Sequence, residues 1–254
     1  MLKFLNEGLF PSYLVIGGNE ALSIILLLLG VIAVSYLLGS LNSAIIVSRL
    51  LYHDDVRRHG SGNAGLTNMH RTYGKWGAIL TLIGDMLKTA VAIIFSACIF
   101  GFWYMGGVST HFAGYIAGLF AVLGHVFPVY YKFKGGKGVL VTSTMALILS
   151  PIPLLILFAV FALIVWTTKY ISLGSVTGAV LYPVVLHSYF RFMISNTPNG
   201  LITLSAIILA IFIVWCHREN LSRISNRTEN KFSFKKKPEI QIKSEEADDD
   251  DEQA

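Results

Sequence analysis

Seven apolar runs set the limits on this chain: Ala21 to Leu38, Trp76 to Tyr104, Phe112 to Tyr131, Val139 to Leu149, Pro151 to Trp166, Ile171 to Phe190 and Leu201 to Trp215. A helix needs about 20 apolar residues to cross a bilayer, and most of these runs come close to that length. No water in the hydrocarbon core can satisfy a free backbone N–H or C=O, so each run must close its hydrogen bonds within itself as a helix. With 54% hydrophobic residues, 14% charged and a mean hydropathy of +0.62, the chain reads as an all-α integral membrane protein, a bundle of seven transmembrane helices. Val139 to Leu149 is the short run, and is either a short spanning helix or a re-entrant segment.

Charge gives the orientation. With seven crossings, Arg49, Arg57, Arg58, Arg71, Lys75, Lys132, Lys134, Lys137, Lys169 and all bases from Arg218 onward fall on one side, against Lys3 and Arg191 on the other. By the positive-inside rule the rich side is cytoplasmic, so the N-terminus is outside and the C-terminus in the cytoplasm. Residues 1–20 read as an extracytoplasmic lead, 21–231 as the transmembrane domain and 232–254 as a disordered cytoplasmic tail. The net charge of +5 understates how basic the body is, because the last eleven residues carry seven acids and no base. Cys98 and Cys216 both sit inside apolar runs and suggest neither a disulfide nor a metal site.

Three polar clusters interrupt the apolar pattern on that cytoplasmic side. The first is Lys134-Gly135-Gly136-Lys137-Gly138, which opens an apolar helix. Glycines let backbone N–H groups approach an anion, and lysine adds a point charge, so this stretch reads as a phosphate cradle. The second follows Ser40 and Arg49 and includes Arg57, Ser61, Asn63, Thr67, Asn68 and Arg71. Gly60, Gly62 and Gly65 in it match a dinucleotide fingerprint, yet no buried strand precedes them, as that fingerprint requires. The third runs from His217 through Asn220 to Arg227, of which Arg218, Arg223 and Arg227 read as generic headgroup anchors. Asp85 and Lys88, three apart on one helix face, are either a neutralised packing pair or neighbours of the substrate.

The chemistry these residues suggest is phosphate handling at a membrane surface. A Walker nucleotide site is disfavoured, because Tyr131 stands where its first glycine belongs and Gly138 where its Ser or Thr belongs. No Ser or Cys lies in a nucleophile elbow.

At Gly39-Ser40, Arg57 with Gly60-Ser61-Gly62-Asn63, Thr67-Asn68, Arg71, Gly84-Asp85 with Lys88, Gly124-His125, Lys134 to Gly138, and His217, Asn220, Arg223, Glu229 and Lys231, the chain resembles the bacterial membrane glycerol-3-phosphate acyltransferases of the PlsY type. The resemblance runs from Ser35 to about Lys231 and departs from the family at Ala64, Leu66 and Arg227, where a proline, a small residue and a glycine are usual. It implies transfer of a fatty acyl group from acyl phosphate to the first hydroxyl of glycerol 3-phosphate, yielding lysophosphatidic acid and phosphate as the first step of phospholipid synthesis. It also implies no metal or other cofactor, no nucleic acid, a place in the bacterial inner membrane, and work beside an enzyme that makes acyl phosphate.

On that resemblance Lys137, with Lys134 and the amides of Gly135, Gly136 and Gly138, holds one phosphate, and Arg57, Ser61 and Asn63 take the other or bridge, with Arg49, Thr67 and Asn68 in support. Ser40 and Asn220 orient the acyl carbonyl or the attacking hydroxyl, and His125 and His217 are candidate proton acceptors. The alternative is a transporter of a phosphate ester or organic anion, which would need polar residues through the depth of the bilayer. The His-x-x-x-x-Asp motif of coenzyme A-dependent acyltransferases is absent.

Overall fold

A computed structural model describes residues 19–100, 110–194, 200–232 and Ile240. The expectations placed on the lead and on the acidic end of the tail fall outside these residues.

Among the described residues the regular structure is helical: α1 (Glu20–Ser40), α2 (Ser43–Leu51), α3 (Leu66–Phe100), α4 (Thr110–Val126), α5 (Val139–Leu149), α6 (Pro151–Thr168), α7 (Ile171–Phe192), α8 (Gly200–Cys216) and α9 (Arg218–Ser225). Five stretches are long and apolar enough to cross a membrane: Ala21–Leu51, Leu66–Phe100, Phe112–Tyr131, Pro151–Thr168 and Ile171–Phe192. α8 makes a sixth when joined to α9 across a 53° bend. The remaining helix, α5, rises about 16 Å, roughly half the thickness of the hydrocarbon core. Length therefore supports five or six of the seven expected crossings.

Two boundaries differ from the sequence reading. The first apolar run, read as Ala21 to Leu38, continues as helix to Ser40 and breaks at Leu41-Asn42, where the Asn42 side chain accepts from Ile45 N at 3.1 Å and caps α2. The helix read from Trp76 begins earlier, at Leu66, so Thr67 to Arg71 belong to the first turns of α3, which kinks at Gly74 (φ 78°, ψ −159°) before its apolar part begins. Gly74 hid that continuity, because a helix-breaking residue between polar and apolar stretches reads as a boundary.

α1 and α4 cross at van der Waals distance because the crossing is lined by glycine. A Cβ on Gly39 would lie 2.2 Å from Ala121 O, and one on Gly124 would lie 2.2 Å from Tyr36 O. Such small-residue contacts drive helix association where lipid supplies no hydrophobic force. The Tyr36 hydroxyl donates to Phe127 O at 2.8 Å and Val129 N donates to Ser40 Oγ at 3.4 Å, so the same crossing tethers the segment that follows α4. Around Tyr115, Met145, Leu186 and Leu209, helices α3 to α8 share one apolar core. Large apolar side chains such as Ile156, Leu163 and Ile211 face outward, as lipid contact requires. The exposed Trp76, Trp166 and Trp215 all stand where apolar helix meets polar segment at one end of the bundle, the pattern of an interfacial aromatic belt.

Candidate active site

At the end of the bundle where the glycine-lysine segment lies, a cavity of about 590 Å³ opens between α3, α5, α6, α7, α8 and α9. One end of it is polar, with Ser61, Asn63, Thr67, Arg71, Lys137, His217 and Asn220 in its wall. The other end is apolar, walled by Leu147, Leu154, Phe158, Phe161, Ala179 and Leu209.

Lys137 reaches the cavity because the glycine-lysine segment folds tightly before it. Lys132 and Phe133 both take left-handed backbone (φ 57° each), and Gly138 takes φ 80° as the residue capping α5. No side chain caps α5, so its first N–H groups are open to an anion beside Lys137. One turn on, the Thr142 hydroxyl is buried with no hydrogen-bond partner among the described residues and lines the cavity. Lys137 Nζ contacts Asn220 Oδ1. Burial holds its ammonium below the ordinary lysine range, Arg223 acts the same way, and Glu229 opposes them.

Asn220 is fixed on its other side too. Its Nδ2 donates to Glu229 Oε1 at 2.6 Å, and the Glu229 carboxylate also accepts from Ser172 Oγ at 2.8 Å and Arg223 Nε at 2.7 Å. Burial alone would raise the Glu229 pKa, but Asn220, Arg223 and Ser172 together hold it below the usual range. Glu229 reaches this position because the chain turns after α9 at Arg227, in left-handed backbone at φ 58°. Phe232 N then donates to Lys169 O at 2.8 Å, carrying the chain past the cavity, with Asn230 and Phe232 in its wall. His217 sits at the α8–α9 bend with Nδ1 2.8 Å from Ile213 O. A carbonyl only accepts, so Nδ1 carries the hydrogen and Nε2 bears the lone pair.

Of the residues singled out from sequence, the cavity wall contains Ser61, Asn63, Thr67, Asn68, His125, Lys137, Gly138, His217 and Asn220. Asn68 has a building role there. Its Oδ1 accepts from Ser61 N at 2.9 Å and its Nδ2 donates to Val56 O and His59 O, holding the Ser61 loop in shape.

The others lie outside the wall, for physical reasons. Arg57, expected on a phosphate, is spent on a clip: Nε and Nη2 hold Asp55 at 2.9 and 2.7 Å, while Nη1 donates to Tyr131 O and Lys134 O at 3.1 Å. Asp55 holds the Arg57 guanidinium above its ordinary pKa, and Arg57 in turn holds the Asp55 carboxyl far below its own. Arg49 pairs with the same Asp55 at 2.9 Å and covers the Tyr131 ring. The amides of Gly135 and Gly136, expected on a phosphate, donate instead to Val126 O and His125 O at 3.1 Å each. These two glycines fold the loop: a Cβ on Gly135 would lie 2.0 Å from His125 O. Lys134 is exposed. Ser40 is fully buried, and its hydroxyl donates to Tyr36 O at 2.8 Å, a packing role rather than a substrate contact.

Sequence reasoning missed Thr142 and Ser172, which sit in otherwise apolar helices and carry no local signal. It also assigned Arg223 to lipid headgroups, whereas Arg223 lines the cavity and holds Glu229. Arg71, named from the sequence with Thr67 and Asn68 and one turn after them, lines the cavity with no hydrogen-bond or ion-pair partner among the described residues.

A family model described as glycerol-3-phosphate acyltransferase matches residues 29–227. The chain is 37% identical over 200 residues to the glycerol-3-phosphate acyltransferase of Syntrophotalea carbinolica, covering 78% of this chain and 94% of that one. It is 39% identical over 203 residues to that of Clostridioides difficile, covering 80% and 94%. Among solved structures it is similar to PlsY, an integral membrane glycerol 3-phosphate acyltransferase. The glycerol 3-phosphate form matches with a TM-score of 0.69 at 30% identity, over 81% of this chain and 96% of that one. The lysophosphatidic acid form matches with a TM-score of 0.67 at 29% identity, over 82% and 96%.

Proposed function

The chain belongs to the glycerol-3-phosphate acyltransferase family, and on that premise we propose that its acyl donor is an acyl phosphate and that the two-ended cavity is where transfer occurs. The protein is a membrane acyltransferase acting on glycerol 3-phosphate. What carries the donor assignment is the joining, in one cavity, of a cationic polar end to an apolar arm. An acyl phosphate has the same two parts.

The reaction follows from the donor's chemistry. The first hydroxyl oxygen of glycerol 3-phosphate attacks the acyl carbonyl, the bond from carbonyl carbon to phosphate oxygen breaks, and inorganic phosphate leaves with its electrons. The hydroxyl proton passes to the His217 Nε2 lone pair or to a phosphate oxygen. A mixed anhydride is already activated, so the protein's task is to place two phosphates and stabilise their charge. Lys137, Thr142 and the open N-terminus of α5 suit one phosphate. Arg71, Ser61, Asn63 and Thr67 across the cavity suit the other. Asn220, locked between Lys137 and Glu229, holds the Lys137 ammonium in place. The acyl chain lies in the arm between α5, α6 and α7. The basic residues at the cavity end support a cytoplasmic site in a bacterial inner membrane, fed by an enzyme that makes acyl phosphate.

The test is phosphate release by purified protein given palmitoyl phosphate, with and without glycerol 3-phosphate. Release that requires both, and that drops by about a hundredfold or more in Lys137→Ala, is expected. Release only from acyl-coenzyme A would refute the donor assignment, and an unaffected Lys137→Ala would refute the site.

A further inference from the structure

Between α1, α3 and α4 lies a buried cluster of charged and polar groups that the reaction above does not use. Lys88, 6% exposed, points its ammonium at three acceptors: Asp85 Oδ1 at 2.8 Å, Leu41 O at 2.9 Å and His125 Nδ1 at 3.0 Å. An ammonium has three hydrogens and no lone pair. Asp85 and Leu41 each take one, and the third goes to His125, whose Nδ1 must therefore be bare and whose ring hydrogen must be on Nε2.

That assignment inverts the role expected of His125. A ring whose Nδ1 is held by an ammonium and whose Nε2 already carries a proton is a hydrogen-bond donor and cannot act as the proton acceptor. Nε2 has no hydrogen-bond partner among the described residues, and His125 lines the cavity. The ring edge also lies against the glycine loop, since a Cβ on Gly136 would stand 2.1 Å from Nε2 and 2.7 Å from Ala64 O. His125 O accepts from Gly136 N, so the residue holds that loop by its backbone as well. His125 and His217 thus carry their hydrogens on opposite ring nitrogens, one offering N–H and the other a lone pair.

We infer that Lys88 is a positioning residue that locks His125 as an Nε2–H donor toward an anionic oxygen of the bound substrates. Asp85 secures Lys88, and itself accepts from Ser43 N at 3.4 Å at the α1–α2 break. The same three side chains therefore tie that break to the loop carrying Lys137. This deepens the phosphate reading of the cavity, but its first test needs no substrate.

The test is nitrogen-15 NMR of histidine-labelled protein in detergent at neutral pH, with His125 assigned by the loss of its signals in His125→Gln. The wild type is expected to show a neutral ring with its proton on Nε2. In Lys88→Met the acceptor left near Nδ1 among the described residues is Asp85 Oδ1, 3.7 Å away, so the proton moves to Nδ1. Lys88→Arg, a donor without lone pairs, restores the Nε2–H form. Activity follows the ring: kcat/KM falls at least tenfold in Lys88→Met and largely returns in Lys88→Arg. A wild-type His125 found protonated on Nδ1, or on both nitrogens, overturns the inference even if no Lys88 variant folds. So does a Lys88→Met protein whose His125 keeps Nε2–H. Absence of acyltransfer with a correct wild-type spectrum would instead refute the cavity assignment and leave the tautomer standing.

Discussion

Gly124→Ala joins helix packing to activity in one substitution. The new Cβ would lie 2.2 Å from Tyr36 O and 2.8 Å from Ser40 N, both backbone atoms of α1 that cannot rotate aside. α1 must retreat by about 1.2 Å to restore the 3.4 Å of ordinary contact. Overpacking of this kind costs roughly 1–3 kcal/mol, and the better helix propensity of alanine returns about 0.5–1, for a net loss of about 1–2 kcal/mol. In a chain of this length that lowers the apparent Tm by roughly 2–8 °C. The same retreat stretches the 2.8 Å bond from the Tyr36 hydroxyl to Phe127 O beyond hydrogen-bonding distance and frees the segment leading to Lys137. A misplacement of about 1 Å at a reacting centre costs up to about a hundredfold in rate. Gly30→Ala in the same α1 is the control, because its Cβ meets nothing within 4 Å. It should keep full activity and gain about 0.5–1 kcal/mol. Thermal unfolding in detergent and kcat/KM with saturating acyl phosphate read both effects. If the two variants behave alike, the close α1–α4 crossing does not hold the site and the reasoning fails.

Thr142→Val keeps shape and removes a buried hydroxyl with no partner among the described residues. Stability should hold or rise while kcat/KM falls about tenfold, and a loss of stability at unchanged activity would place the hydroxyl in the fold instead. Gly178 borders the apolar arm with open space at its Cβ, so Gly178→Leu should lower the kcat/KM ratio of palmitoyl over decanoyl phosphate by about tenfold or more, with KM for glycerol 3-phosphate unchanged. Arg227→Gly relieves a left-handed non-glycine residue and should raise stability by about 1 kcal/mol in a denaturation series. Hydrogen bonds from Arg57, and then Arg49, hold Asp55 far below its unfolded value against the opposing effect of burial. Its contribution is fully present above about pH 4 and is lost as pH falls below that, so wild-type Tm should drop more steeply in acid than that of Asp55→Asn.

The bundle and the region of the site were readable from the chain because both rest on local pattern. Apolar runs must become helices, and lysines and glycines between them must have a use. What local pattern misses is which polar group faces which. Arg57 and Lys137 look alike in sequence, but Asp55 two residues away and two carbonyls of the facing loop take up the guanidinium of one, while the other is left to the cavity. Gly135, Gly136 and Gly138 read as equivalent amide donors, yet the first two spend their N–H groups on the end of α4. Thr142 and Ser172 had no chance of detection, since a single hydroxyl in an apolar helix is ordinary until its neighbours are known. His125 was legible as a site residue, but its contact with Lys88, thirty-seven positions away, carries no local signal.

The cavity takes its wall from Ser61 at one extreme of the chain and from His217, Asn220 and Phe232 at the other. A ribosome delivers those segments in order, and the helices that carry the first reach the bilayer well before the last has been made. On the proposed site, no nascent chain can therefore hold its substrates until α9 and the stretch beyond it are free to fold back past the glycine-lysine loop. Membrane insertion and catalytic competence are thus separate events in the life of this protein, and a product truncated after α8 would be a well-inserted bundle with an unfinished site.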